Sequence, residues 1–133
     1  MNRTQIETFV GRWLVAITSG NSAEFEQLVG ASVLDTNTGV SAPRAAFQER
    51  AAAVHGAFAE LVGQVDELLV DGERIAWRWT LLGVQRAPFL GELAMGRRIR
   101  LCGTNFQRLS DGVVVAHFTL IDGLGALRQM RGA

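Results

Sequence analysis

The hydrophobic pattern of this chain changes period once, near residue 60, and that switch restricts the fold more than any other feature. Ahead of it, Ile6, Phe9, Val10, Trp13, Leu14 and Ile17 recur at three- and four-residue spacing, the apolar stripe of an amphipathic helix, and Thr4 with Glu7 offers a capping box. Gly20-Asn21 ends that helix. Asn21 and Glu24 can cap a short second one carrying Phe25, Leu28 and Val29, which Gly30 closes. After a brief strand near 32–35 and a polar loop, Ser41 and Pro43 start a third helix with Phe47, Ala51, Val54 and Phe58 on one face.

From Val62 onward the residues are β-branched and aromatic, broken by the turn signals Asp71-Gly72 and Ser110-Asp111-Gly112. This predicts a four-stranded antiparallel meander over 63–70, 73–82, 97–109 and 113–122, with a long connection at 83–96. A last short helix holds Leu124, Leu127 and Arg128. Helices followed by strands make an α+β fold in which the helices pack onto one face of the sheet. At 133 residues the chain fits a single domain, 1–133.

Composition narrows the chemistry. The chain is 48% hydrophobic, yet no apolar run reaches the roughly 18 residues of a membrane span, and the first residues lack a secretory apolar core, so a cytoplasmic protein is expected. The single Cys102 forms no internal disulfide and is expected as a small core residue. Thirteen basic and thirteen acidic residues cancel, which argues against nucleic-acid or membrane partners. All thirteen basic residues are Arg, and the chain has neither Lys nor Tyr. Schiff-base chemistry, a phosphate-loop Lys and a phenolic oxyanion donor are therefore excluded. His55 and His117 are not spaced as ligands on one element, and no thiolate cluster exists, so no metal is expected.

Asp122 alternates with Phe118 and Leu120, which predicts that all three point to the covered side of the last strand. There Asp122 is either a buried acid with a raised pKa or the N-cap of the final helix. The same alternation sends His117 to the opposite face, with a structural or dimer role. Asn105 and Gln107 share a strand face and either hold a polar ligand atom or face solvent. Trp77 and Trp79 flank Arg78, so either the tryptophans line the covered face or Arg78 enters the pocket as an anion holder. Arg97, Arg98 and Arg100 form a short basic cluster. Trp13 belongs to the core and lines the pocket with it. Val113, Val115 and Ile121 suggest a homodimer through an apolar sheet face.

About sixty residues carry a resemblance: DGERIAWRWTLLG at 71–83, FLG at 89–91, GRRIRLCGTNFQRLSDG at 96–112, VVVAHFTLID at 113–122 and LGALRQM at 124–130. In these segments the chain resembles the SnoaL-like polyketide cyclases of the nuclear-transport-factor-2-like superfamily. The resemblance implies a cone-shaped, cystatin-like sheet around a ligand cavity. It also implies that Asp122, at the end of the last strand, is acid and base in a cofactor-independent, intramolecular aldol-type ring closure on a hydrophobic carbonyl compound. Asn105, Gln107, Trp13, Phe118 and Arg78 would contact that substrate. The sequence departs from the family at Gly83-Val84-Gln85, at Leu93-Ala94-Met95-Gly96 and at Ala116, where relatives carry a Gly-Thr-His turn, a Pro-Pro-Thr-Gly-like loop and an acidic residue. Two further readings stand beside the cyclase: a non-catalytic hydrophobic binding protein of the same fold, and an epoxide-opening relative, whose Asp, Arg, Asp set is broken at Arg100 and Cys102.

Overall fold

The computed structural model describes residues 1–132. A first helix, α1 (Arg3–Thr18), is followed by a 3-10 turn (Ser22–Glu24) and a short α2 (Phe25–Leu28). Strands β1 (Val29–Asp35) and β2 (Val40–Pro43) precede α3 (Arg44–Ala57). Then come β3 (Phe58–Asp71), β4 (Arg74–Gln85), β5 (Arg98–Ser110), β6 (Val113–Ile121) and α4 (Gly123–Arg131). The strands lie in the order β2-β1-β6-β5-β4-β3 in one curved, unclosed sheet. β3 to β6 make the antiparallel meander read from the sequence, and β1 extends it by pairing in parallel with β6.

Local chemistry explains where boundaries moved. Asn2, and not Thr4, caps α1: its Oδ1 accepts from the Gln5 amide at 2.9 Å while Gln5 Oε1 accepts from the Asn2 amide at 2.7 Å. This is a capping box one step upstream of the expected one. Ser41 and Pro43 belong to β2, an edge strand, where a proline without an N–H costs no ladder bond. Phe58 is extended, at φ −130°, and opens β3 instead of closing α3. Register shifts between Ala59 and Val62 and between Val65 and Glu67 bend β3, the bulge geometry that lets a sheet curl around helices. Asp111 and Gly112 both have positive φ, 50° and 79°, the pair of values a two-residue type I′ hairpin demands between β5 and β6.

The core lies between the sheet's inner face and the helices. Ile6, Phe9, Val10, Trp13 and Leu14 of α1, with Phe25, Phe47 and Ala51, pack toward Ile75, Trp77, Trp79 and Leu81 of β4. The 83–96 connection docks away from this centre: Phe89 stacks edge-on against Phe58 at 5.2 Å, and Glu92 pairs with Arg131 of α4 at 2.6 Å. Cys102, expected in the core, is half-buried between inward-facing Leu101 and Gly103. Among the described residues, no helix is long and apolar enough to cross a membrane.

Candidate functional site

Alternation along β4 sends Ile75, Trp77, Trp79 and Leu81 toward the helices. Cross-strand pairing carries that face outward through the sheet. Ile75 lies opposite Gln107 and Trp77 opposite Asn105, and on the next strand Gln107 lies opposite His117 and Asn105 opposite Thr119. α1, α2 and α3 close over this wall with Trp13, Phe25, Phe47, Arg50, Ala51 and Val54, leaving a cavity of about 120 Å³. That is close to the roughly 150 Å³ that admits benzene in an apolar protein core, so one ring fits inside.

Asn105, His117 and Thr119 stand on the sheet wall of this otherwise aromatic and aliphatic space, and Arg50 faces them from α3. His117 is 4% exposed, stacked on Trp13 with ring centroids 5.5 Å apart and edge-on to Phe47 at 5.1 Å. Its Nδ1 lies 3.0 Å from the Gln107 side-chain nitrogen, and Gln107 Oε1 accepts from Trp77 Nε1 at 2.9 Å. Trp79 Nε1 donates to Asn105 Oδ1 at 3.3 Å. Asp35 is 4% exposed; its Oδ1 accepts from the Asn37 amide at 3.0 Å and its Oδ2 pairs with Arg50 at 3.2 Å. Arg50 reaches from α3 across the Phe47 ring, 5.2 Å from its centroid, and remains half exposed. Burial, and after it the Arg50 charge, lower the His117 pKa from 6.5 to about 4, with Asp35 pulling the other way. His117 is therefore a neutral imidazole at physiological pH. Among the described residues, no three His, Cys, Asp or Glu side chains cluster as a cation site.

The SnoaL-like polyketide cyclase family matches residues 7–130. The chain belongs to that family. Among solved structures, TsrD from Streptomyces laurentii superposes with a TM-score of 0.90 at 22% identity, covering 100% of this chain and 99% of its own. A polyketide cyclase candidate from Acidithiobacillus ferrooxidans gives 0.83 at 19%, covering 100% and 99%, and IdmH from Streptomyces antibioticus gives 0.79 at 21%, covering 96% and 98%. Likeness at these identities establishes the fold. Among curated proteins none matches the chain.

In this SnoaL-like domain, Trp13 and Asn105 line the cavity, and Gln107 is buried directly behind it on His117. Asp122 does not share the covered side. It is exposed and caps α4, its Oδ1 accepting from the Gly125 amide at 2.9 Å. Phe118 and Leu120 also turn outward: Phe118 packs edge-on against exposed Phe106 at 6.1 Å, and Leu120 is 57% exposed. Arg78 stays on the outer face as well, paired with Glu67 at 3.0 Å. The inner positions of β6 are His117, Thr119 and Ile121, so the strand faces are the reverse of those read from its apolar residues, and Ile121 lines the cavity instead of a dimer face. Arg50 and His117 are the residues the sequence reading missed. A signal existed for His117: buried indole N–H groups need acceptors, Asn105 and Gln107 supply them, and the residue facing Gln107 must then be inside.

Proposed function

We propose that this domain binds a small hydrophobic carbonyl compound in the cavity and acts on it by cofactor-independent acid/base chemistry of the intramolecular aldol type. The observation that carries this reading is the placement of Asn105 and His117 on the sheet wall of a largely apolar cavity. That arrangement orients an apolar body and leaves its oxygen among hydrogen-bond donors. In such a reaction a base removes the proton beside one carbonyl. The enolate carbon then bonds to a second carbonyl carbon, and the alkoxide so formed takes a proton back. Asp122, the carboxylate the family resemblance implies for both transfers, follows Ile121 of the cavity lining but is itself exposed at the α4 cap, so this reading requires it to turn from the cap toward the cavity. A reducing, cytoplasmic setting suits the single Cys102.

A specific observation favours a second reading, a non-catalytic binding protein: Asp122 is exposed and outside the lining, and the oxygens of buried Asp35 are engaged by Asn37 and Arg50. Acetophenone, a single-ring ketone, separates the two. Exchange of its methyl protons in deuterated water, followed by NMR, is expected to accelerate with wild type and to fall to background with Asp122→Asn. Binding without accelerated exchange establishes the second reading, and absence of binding sinks both. The proposal also includes a homodimer through the outer sheet face, where Leu34, Phe106 and Leu120 are exposed.

A further inference from the structure

The geometry points to Gln107 as a positioning residue that fixes His117 as a hydrogen-bond donor, so that the cavity takes its ligand as an oxyanion: a phenolate, enolate or carboxylate on a single-ring body. This rests on the cavity being the ligand site. An indole N–H can only donate. Trp77 Nε1 sits 2.9 Å from Gln107 Oε1, so the oxygen of that amide is identified and its nitrogen faces His117. An amide N–H directed at a ring nitrogen 3.0 Å away makes a bond only when that nitrogen is unprotonated. The single proton of the neutral ring is thereby held on Nε2. Trp77, Gln107 and His117 are 1%, 4% and 4% exposed, which leaves no bulk water to satisfy the opposite arrangement.

Asn105 is fixed by the same device. Trp79 Nε1 occupies its oxygen, and its two amide protons remain for a ligand. Asn105 and His117 are diagonal neighbours across β5 and β6, roughly 7–8 Å apart between backbones, and both line the cavity. Arg50 adds a positive charge at the same cavity, and both Asp35 oxygens are turned to Asn37 and Arg50. Thr119 is the lining side chain whose hydroxyl can accept as well as donate. Fixed donors in a largely apolar site strengthen more for an oxyanion than for a neutral carbonyl, because charge-assisted bonds are about twice as strong.

Two measurements test this. In ligand-free protein, 15N-resolved NMR of the imidazoles, assigned with His117→Phe, is expected to place the His117 proton on Nε2; a proton on Nδ1 overturns the inference whatever the cavity binds. The second uses 4-nitrophenol, whose ionisation is read by its absorbance, with nitrobenzene as the neutral control. Bound nitrophenol is expected to ionise at lower pH than free nitrophenol. Ionisation at higher pH overturns the oxyanion inference but leaves the cavity a ligand site. Failure of both compounds to bind removes the ligand-site reading beneath it. Gln107→Glu supplies the converse: its carboxylate accepts from Trp77 and from a proton on Nδ1, turning Nε2 into an acceptor. Nitrophenolate affinity should then fall by about tenfold or more, the loss expected for one charge-assisted bond. Unchanged affinity with the proton moved to Nδ1 overturns the role of His117 as donor.

Discussion

His117 shows what burial does to a titrating group when its neighbours do not compensate. Its pKa is lowered to about 4 by burial first and Arg50 second, Asp35 opposing, so the folded protein declines a proton that the unfolded chain accepts near 6.5. Stability tied to this ring is complete above pH 6.5 and is lost as pH falls toward 4, by at most about 3 kcal/mol. Urea denaturation of wild type and His117→Phe between pH 4 and 7 should give the variant the shallower decline across that window; identical slopes would mean that the folded ring takes up its proton normally. Asp122 makes the complementary case. As an exposed N-cap bonded to Gly125, its replacement by Ala should cost about 1 kcal/mol, while Asp122→Asn, a cap of similar quality, should stay within a few tenths of wild type. Equal losses for both would assign the carboxylate a role beyond capping. The sequence already contained the capping alternative for Asp122. It hid His117, because alternation tells which residues share a strand face and says nothing of which face the helices cover.

That ambiguity resolves only at the level of paired strands. Phe118 and Leu120 are as apolar as any core residues, yet they face outward beside Phe106, while Gln107, Asn105 and His117 go inside, where the two β5 amides accept from the indole N–H groups of Trp77 and Trp79. α1 and both meander hairpins were legible because their signals are local: a 3.6-residue stripe, and turn residues at fixed offsets. The parallel β1–β6 pair was not, since it joins segments about eighty residues apart with no motif between them. Gly103 shows how tightly the register binds these strands. A Cβ there would stand 2.5 Å from Trp79 Cζ2 and 2.6 Å from the Leu120 carbonyl oxygen. Both the Leu120 backbone and the indole must then shift, and the indole's bond to Asn105 breaks. Gly103→Ala is expected to destabilise by about 1–3 kcal/mol in chemical denaturation, with loss of the Trp79 indole N–H signal at its folded position. An unshifted indole with wild-type stability would show that the wall has slack.

At the scale of the molecule, helices cover one face of the sheet, and among the described residues the centre of the other carries exposed apolar side chains. Leu34, Phe106 and Leu120 are exposed there, Phe118 is half-buried beside them, and the ion pairs Arg78–Glu67 and Arg98–Glu60 stand toward the β3 edge. An apolar centre with charged surroundings is the anatomy of a protein interface. The net charge of zero places no long-range repulsion between two copies brought face to face. Light scattering on a sizing column is therefore expected to return the mass of two chains at micromolar concentration. Leu120→Arg, which sets a charge at the middle of that face and leaves the cavity wall untouched, should return the mass of one. Because Leu120 points away from His117 and Asn105, the same variant should keep its affinity for a cavity ligand. A monomeric wild type would remove the dimer from the proposal, and a Leu120→Arg monomer that had also lost ligand affinity would mean that the two faces of the sheet are coupled through β6.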